Sequence, residues 1–321
     1  MRPPPRRLVI DTDPGVDDAL AILLALASPE VEVVGLTTVF GNASVELTTR
    51  NARAVLAAAG RTDVPVATGA AAPLAGAYAG PVPQVHGADG LGDGGLGFPQ
   101  EPALASTVAA AEFLWRSAQG HPGELTILAL GPLTNLALAL RLHPDLPRHV
   151  AGVVIMGGNA LVPGNANPCA EANMLGDPEA GDVVLGAPWP VTMVGLDVTH
   201  KAVLPGAAIA RVTAPDRPAN RLLAAALPHY RNFFERTNGI DGIYLHDPSA
   251  VAYVVAPHLF TTAGWPVRVE TQGMSRGKTW PCLGDTDDPA PAAWQGRPTV
   301  RVAVGVEGDQ VAALVEDRLS A

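Results

Sequence analysis

Four carboxylates crowd into eight residues near the start of the chain, in the string DTDPGVDD. They belong to Asp11, Asp13, Asp17 and Asp18. Carboxylates this close together repel each other unless some are protonated or a cation lies among them. Clustered aspartate oxygens are the ligands that hard cations such as Ca²⁺ or Mg²⁺ prefer. Capping of a following helix would explain one of these acids but not all of them. The string therefore predicts a metal site.

A second candidate site lies far along the chain, in the string HDPSA at 246–250. An Asp before Pro at the start of an apolar pattern is typical of a helix N-cap, so the string by itself favours a structural role. Together with the N-terminal acids, however, His246 offers a titratable imidazole and Asp247 a further carboxylate ligand. The string DPEA at 177–180 has the same capping pattern without a dense run of acids, and we predict a plain N-cap there.

Amides alternate with a carboxylate in the segment GNANPCAEAN at 164–173. Gly, Asn and Pro are turn formers, so this segment alone predicts an ordinary loop. Asn165, Glu171 and Asn173 nevertheless carry the donors and acceptors that several vicinal hydroxyl groups require. Considered with the other motifs, the segment is a candidate sugar-binding loop.

Short apolar runs alternate with helical patterns along the chain, which is typical of a mostly parallel sheet flanked by helices. The first run, 8–11, ends at the acids, and later runs end near Asn42, Gly131 and Asn159. The carboxyl ends of parallel strands meet at one edge of a sheet, so these residues are expected to line one cleft. We predict a single α/β domain over 1–321, Rossmann-like and open, with the active site at the C-terminal ends of the strands.

Two segments are long enough to be candidate mobile loops over that cleft, the Gly-rich stretch 75–98 and the stretch 226–245. Such segments would help to set which ligand the cleft prefers. The second stretch contains a mixture of His, Tyr, Phe, Arg, Thr and Asn, and this mixture leaves the preference open.

Composition limits the classes of partner. The chain has 321 residues, of which 48% are hydrophobic and 16% charged, so it can bury a large core. A net charge of −10 argues against nucleic acid as a partner and is compatible with a small, neutral substrate. The apolar run after the basic N-terminus is too short for a signal-peptide core, and no run could span a membrane. We therefore expect a cytoplasmic protein without membrane or nucleic-acid partners.

Six strings in the chain together resemble the nucleoside hydrolases of the inosine–uridine-preferring type. They are DTDPGVDDALAILLAL at 11–26, HGADGLG at 86–92, GPLTNLALAL at 131–140, VVIMGGN at 153–159, EAN at 171–173 followed by DPEA, and HDPSAVAYVV at 246–255. The resemblance implies hydrolysis of the N-glycosidic bond of ribonucleosides to free base and ribose. It also implies a bound Ca²⁺ ion that holds the attacking water, a role in purine or pyrimidine salvage, and a homodimer or homotetramer.

The resemblance further implies roles for individual residues. Asp13 would ligate the metal and act as the general base, and His246 would protonate the departing base. The other protein ligands of the metal would be Asp18, Asp247 and the main-chain oxygen of Leu130, where many members have Thr. An imidazole suits proton transfer because its unperturbed pKa lies near neutrality. The residues that would contact the nucleoside are Asp17, Asn42, Met156, Asn165, Glu171, Asn173 and His246.

Two other functions compete with this interpretation. A phosphatase of the haloacid-dehalogenase kind also opens with an apolar strand and D-x-D, and it would use Asp11 as a nucleophile. Pro14 and Gly15 directly after the D-x-D, and the extra Asp17-Asp18 pair, fit that family poorly. A sugar-binding protein without catalysis would also place Asn, Asp and Glu around a cleft. Four crowded acids exceed what holding a sugar requires.

Overall fold

The structure is a computed structural model that describes residues 4–95, 105–284 and 291–321. The strands are β1 (Arg6–Thr12), β2 (Val31–Thr38), β3 (Val66–Thr68), β4 (Leu125–Ala129), β5 (Val150–Met156), β6 (Val191–Val194), β7 (Val203–Pro205), β8 (Gly242–Tyr244), β9 (Phe260–Val269), β10 (Thr279–Pro281) and β11 (Thr299–Val306). The helices are α1 (Val16–Leu26), α2 (Val45–Ala58), α3 (Pro83–His86), α4 (Ala110–Gly120), α5 (Thr134–Leu142), α6 (Ala172–Gly176), α7 (Pro178–Leu185), α8 (Leu196–Thr199), α9 (Gly206–Thr213), α10 (Pro218–Asn238), α11 (His246–Val255) and α12 (Gly308–Ser320).

A nine-stranded sheet forms the centre of the fold, in the order β10-β9-β11-β6-β5-β4-β1-β2-β3. β1 lies between β2 and β4 and pairs with both in parallel, so that Asp11 is beside Thr37 on one side and Ala129 on the other. β9 pairs in antiparallel fashion with β11 and with β10. A separate antiparallel pair joins β7 and β8. The predicted open, mostly parallel, Rossmann-like sheet is confirmed.

The strand order reverses direction between β1 and β4. From β1 the chain moves outward to β2 and β3, and it then crosses to the other side of β1 for β4, β5 and β6. In open α/β sheets, ligands bind outside the carboxyl ends of the strands at such a switch point. Asp13 follows β1 and Leu130 follows β4. Residues from two of the predicted motifs therefore meet at the switch point.

Helix α1 shows how the sequence fits this architecture. Its residues Val16–Ala25 are all buried, including the two acids Asp17 and Asp18. A helix that is apolar around its whole circumference must be covered on all sides, and α1 packs against α2, α10 and α11. The acids at its N-terminus are thereby held inside the molecule. None of the helices in the described ranges combines the length and the apolar character that crossing a bilayer requires.

The structure corrects one expectation, the loop predicted at 226–245. Most of this stretch is the second half of helix α10, followed by β8. Leu227, Tyr230 and Phe234 are buried at helical spacing on one face, and that burial stabilises a helix where the mixed polar composition suggested a loop.

The other predicted loop, 75–98, consists of turns apart from the single turn of helix in α3, and its residues 96–98 lie outside the described ranges. Whether it moves stays a prediction. The predicted N-cap at Asp177 is confirmed, because its carboxylate accepts a hydrogen bond from the backbone N–H of Ala180 and Pro178 begins the helix. The same carboxylate also accepts from Leu74 and Thr134, so it ties the loop at Leu74 and the start of α5 to α7.

Candidate active site

Asp13 lies at the C-terminal end of β1 with 1% of its surface exposed. Its Oδ2 atom accepts a hydrogen bond of 2.7 Å from the backbone N–H of Asn42. A methyl group on Gly41 or Gly131 would overlap this carboxylate, so the close approach of the two backbones requires glycine at both positions. Oδ1 is buried and has no partner among the described residues. A buried carboxylate oxygen without a partner is destabilising, and a cation would satisfy it.

Asp18 is fixed by three neighbours. Its Oδ1 accepts from the hydroxyl of Thr12, and its Oδ2 accepts from the N–H of Gly15 at 2.9 Å and from the side-chain amide of Asn42 at 3.0 Å. The bond from Gly15 is a helix-capping interaction, so the capping interpretation holds for this acid. Asn42 contacts both Asp13 and Asp18, and it therefore sets the distance between two predicted metal ligands.

Asp247, in the first turn of α11, joins the N-terminal acids. One carboxylate oxygen from each of Asp17, Asp18 and Asp247 lies within 4.8 Å of the others. The sequence predicts a metal held by Asp13, Asp18 and Asp247, whereas this group of three contains Asp17 in place of Asp13. Asp13 is still close enough for its charge to raise the pKa of Asp247. The main-chain oxygen of Leu130 accepts from the Asn173 amide at 2.6 Å.

The electrostatics of these acids favour a bound cation. Burial, opposed by hydrogen bonds, raises the pKa of Asp17 and Asp18 to about 6. Burial and then the charge of Asp18 raise the pKa values of Asp13 and Asp247 well above the ordinary range. Each group is thus held in an environment that opposes its negative charge. Hard oxygen donors clustered in this way fit a divalent cation such as Ca²⁺ or Mg²⁺.

The Asp11 carboxylate is bound by two side chains through one oxygen, because its Oδ1 accepts from Thr37 at 2.5 Å and from Asn135 at 2.7 Å, while its Oδ2 is buried without a partner among the described residues. Burial raises its pKa to about 7 against these two hydrogen bonds. Asn135 also donates to the main-chain oxygen of Thr38. The Asp11 carboxylate therefore links β1, β2 and α5, which gives it a structural role in place of the nucleophilic role that the phosphatase alternative requires.

A cavity of about 580 Å³ opens over the switch point. Most of the predicted site residues line it, and those that do are Asp17, Asn42, Leu130, Met156, Asn165, Glu171, Asn173, His246 and Asp247. Asp13 and Asp18 are not among the lining residues, but both bond to Asn42, which is. The structure therefore brings the predicted residues together around one space.

The predicted sugar-binding side chains are held by backbone groups. Glu171 caps α6, and its carboxylate accepts from the N–H groups of Gly158, Asn173 and Met174. Asn173 donates to the main-chain oxygens of Leu130 and Met156, which lie at the ends of β4 and β5. Glu171 and Asn173 therefore stabilise the local turn structure and also line the cavity. Fixed side chains of this kind bind a ligand without a further loss of conformational entropy.

His246 is neutral at pH 7 in this environment. Burial, with smaller contributions from His200 and His86, lowers its pKa to about 3. Its Nδ1 atom shares a hydrogen bond of 2.8 Å with the Thr199 hydroxyl. The reason that the sequence offered for its role as an acid, an unperturbed pKa, is therefore wrong. The role itself stays a prediction, in which a neutral ring donates a hydrogen bond.

Two histidines in the cavity were missed by the sequence analysis. His86 stacks on Tyr230 with ring centres 5.4 Å apart, accepts from the N–H of Val16, and lies 3.9 Å from Asp17. Its place in the string HGADGLG was a signal, although no role was attached to it. His200 lines the cavity with its ring centre 5.4 Å from that of His246. No motif around His200 pointed to it.

The chain is similar to known proteins over nearly its whole length. The model of the inosine-uridine preferring nucleoside hydrolases matches residues 8–313. Probable uridine nucleosidase 2 of Arabidopsis thaliana is 41% identical over 315 residues, which is 98% of this chain and 97% of the relative. A solved plant nucleoside hydrolase, PpNRh1, has a TM-score of 0.95 at 39% identity and covers 99% of this chain and 100% of its own.

A solved purine-preferring ribonucleoside hydrolase from Gardnerella vaginalis has a TM-score of 0.90 at 33% identity, with 98% of each chain covered. These matches favour the hydrolase over the phosphatase and over the non-catalytic sugar-binding protein. The chain therefore belongs to the inosine-uridine preferring nucleoside hydrolases, and it is an enzyme that hydrolyses ribonucleosides to free base and ribose.

Proposed function

We propose that the chain binds a Ca²⁺ ion at the switch point and uses Asp13 as the general base for hydrolysis of the N-glycosidic bond. The observation that carries this proposal is the buried, unpartnered Oδ1 of Asp13 beside the carboxylates of Asp18 and Asp247. A carboxylate oxygen in this position is suited to ligate a metal ion and then to accept a proton. The cavity beside it has room for a nucleoside.

The residues that would hold the ion are Asp13, Asp18, Asp247 and the main-chain oxygen of Leu130. Ca²⁺ accepts about 6–8 oxygen ligands in a loose geometry, which suits a site that must also admit sugar hydroxyls. A divalent cation bound there lowers the pKa of a nearby water and helps to orient the substrate. Asp17 lines the cavity and is hydrogen-bonded to Tyr230, and we assign it to the sugar hydroxyls.

The reaction consumes one water. Asp13 takes a proton from this water as the new C–O bond forms at the anomeric carbon and the C–N bond to the base breaks. The transition state resembles an oxocarbenium ion, and the buried carboxylates stabilise its positive charge. Asn42 holds Asp13 in place through its backbone N–H. The bond electrons leave with the base, which requires a hydrogen-bond donor or a proton.

We assign the stabilisation of the departing base to His246. Its Nδ1 is bonded to Thr199, which fixes the plane of the ring at the wall of the cavity. Phe234 and Tyr244 lie beside it, with ring centres 6.2 and 5.6 Å from that of His246. A planar base packs well against such aromatic walls. A neutral imidazole in this place donates a hydrogen bond to the developing negative charge on the base.

We infer that uridine is a substrate. The Arabidopsis relative is named a uridine nucleosidase, whereas the Gardnerella neighbour is named a purine-preferring enzyme, so the preference has to be measured for this chain. Gln84, Thr237 and Asn238 line the cavity with polar groups that suit the edge of a base. The cytoplasmic location and the homodimeric or homotetrameric state stay predictions.

The first prediction concerns the metal. With Ca²⁺ present we expect release of free base from uridine, and after thorough chelation we expect at least a hundredfold loss of kcat/KM that returning Ca²⁺ reverses. The reason is that hydrolysis requires both an oriented sugar and an acidic water. Inosine and the deoxyribonucleosides, assayed for free sugar in parallel, define the preference. Full activity in chelator would exclude a metal-dependent step.

The second prediction concerns the base. Asp13→Ala is expected to lower kcat on uridine by about 10³-fold, because general base catalysis contributes about 10²–10⁴-fold. Asp216→Ala is the matched control, since Asp216 is an exposed aspartate paired with Arg221. Its kcat should equal that of the wild type. An Asp13→Ala variant that keeps more than a tenth of the activity would remove Asp13 from this role.

The third prediction concerns His246. His246→Ala is expected to slow uridine hydrolysis by about 10²-fold but to leave a nitrophenyl riboside, whose leaving group needs no proton, within a few-fold of the wild type. The measurement is kcat/KM for both substrates under the same conditions. Equal losses on both would show that His246 does not act on the leaving group.

The fourth prediction concerns stability. In chelator, the free energy of unfolding should fall by about 1 kcal/mol or more between pH 6.5 and 8. Asp11, Asp13 and Asp247 have raised pKa values, so the folded state still binds protons that the unfolded chain lost near pH 4. Burial lowers the pKa of His86 to about 4 and that of His246 to about 3. Because imidazoles of the unfolded chain still lose protons between about pH 6.5 and 7.5, these two groups offset about 0.8 kcal/mol of the loss from the carboxylates.

Thermal unfolding at the two pH values, with chelator and with Ca²⁺, measures this effect. Ca²⁺ should raise Tm and reduce the difference between the two pH values, because it binds the deprotonated carboxylates of the folded state. A metal-free Tm that is level or higher at pH 8 would contradict the raised pKa values.

A further inference from the structure

The turn 159–162 follows β5 after Gly157 and Gly158, and it leads into the loop that carries Asn165 and Glu171 to the cavity. The side chain of Asn159 is buried and donates to the main-chain oxygens of Val162 and Cys169, both at 2.9 Å. Asn159 thus ties the start of the loop to a point just before Glu171. Because Asn159 belongs to the turn, contacts that hold the turn in place also hold the two ends of the sugar-binding loop.

Lys278 reaches this turn from the segment before β10. The residue is 8% exposed, and its Nζ donates to the main-chain oxygens of Asn159 at 2.5 Å, Val162 at 3.1 Å and Ala160 at 3.4 Å. An ammonium group has three N–H donors, and this one directs them to carbonyls of a single turn. Burying a charged group costs free energy unless hydrogen bonds compensate it. The hydrogen bonds to this turn therefore compensate the buried charge of Lys278.

Asp197 also hydrogen-bonds to this turn, through different backbone groups. It is buried in the first turn of α8, and its two oxygens accept from the N–H groups of Ala160 and Leu161, both at 2.7 Å. The Asp197 carboxylate accepts hydrogen bonds from N–H groups of the turn, and the Lys278 ammonium donates hydrogen bonds to its C=O groups. Hydrogen bonds to charged groups are stronger and more directional than those between neutral groups. The turn is held by two opposite charges from two different elements.

We propose that Lys278 and Asp197 are positioning residues that hold Asn165 and Glu171 in the geometry that binds the sugar. Neither is among the side chains that line the cavity, so each acts through the turn. The inference rests on the proposed function, in which Asn165 and Glu171 contact the nucleoside. Binding groups must be held to within a fraction of an ångström to be effective, and two opposed charges restrict the turn more than apolar packing would.

The sugar-binding loop and the carboxylates that activate water belong to different elements. Loosening the turn therefore weakens substrate binding, whereas the Asn42 contact that holds Asp13 lies outside the turn and stays in place. Lys278→Met keeps most of the length of the side chain and removes its charge and its hydrogen-bond donors. We expect KM for uridine to rise about tenfold, while kcat stays within threefold of the wild type. A kcat that falls as much as KM rises would assign Lys278 to the stability of the whole site and overturn the proposal.

The matched control is Lys201→Met. Lys201 is exposed, and its Nζ is 3.5 Å from the main-chain oxygen of Val304. It carries the same charge as Lys278 at a position away from the turn. KM and kcat of this variant should both equal the wild-type values. A rise in KM in both variants would show that net charge, and not the grip on the turn, controls affinity.

Sugar analogues separate positioning from general damage. 2′-, 3′- and 5′-deoxyuridine each lack one hydroxyl group. On the analogue that lacks the hydroxyl bound by the loop, the tenfold penalty of Lys278→Met should shrink to about twofold. The other analogues should keep the full penalty. An equal penalty on all three analogues would overturn the positioning role. Lys278→Arg, which restores a cation, should recover at least part of the affinity.

Hydrogen exchange of the backbone amides tests how firmly the turn is held, and it does not depend on a measurement of activity. Peptides covering 159–171 should exchange faster in Lys278→Met than in the wild type or in Lys201→Met, and unchanged exchange there would overturn the proposal. An inactive wild type with faster exchange in the variant would refute the proposed function alone. If Lys278→Met does not fold, Thr279→Val replaces it, since Thr279 accepts from the N–H of Asn159 at 2.8 Å. The same pattern is expected at a smaller size.

Discussion

Several carboxylates that repel one another are held where little water reaches them, at the edge of a sheet whose remaining core is apolar. Asp13, Asp18 and Asp247 come from two ends of the chain, and each is buried beside the others. Among the described residues, no lysine or arginine forms an ion pair with them. The polypeptide surrounds them with neutral donors, such as the backbone N–H groups of Gly15 and Asn42. The rest of the site follows from this arrangement, because it leaves a local excess of negative charge that suits a metal ion and a cationic transition state.

The surrounding architecture makes this arrangement possible. The reversal of strand order opens a crevice between β1 and β4, and glycine at positions 41 and 131 lets two backbones approach the Asp13 carboxylate. Helix α1, covered on all sides, cannot turn its acids toward solvent without exposing apolar residues. The apolar core therefore supplies the free energy that keeps the acids in their unfavourable position.

The sequence predicted those parts of the site that depend on local pattern. A buried strand followed by clustered acids indicated the β1–α1 turn, and Asp before Pro indicated the N-cap at Asp177. Other features depend on contacts between distant segments and leave no local signal. Tyr230 hydrogen-bonds to Asp17, yet its place in a polar stretch suggested a loop. Burial of the His246 ring reverses the expectation drawn from its free pKa. The role of Lys278 was likewise invisible, because its partners lie more than a hundred residues earlier.

The position of β11 has a consequence for the order in which the chain can assemble on the ribosome. β11 is formed by residues 299–306, yet it lies inside the sheet between β6 and β9. The half of the sheet from β3 to β6 has all its strands by residue 194, whereas β9 and β10 cannot join it until the final strand has been synthesised. Until then β6 presents an open hydrogen-bonding edge, which is a template for unwanted pairing between nascent chains. During vectorial synthesis, this edge of the sheet therefore stays unpaired until β11 is inserted.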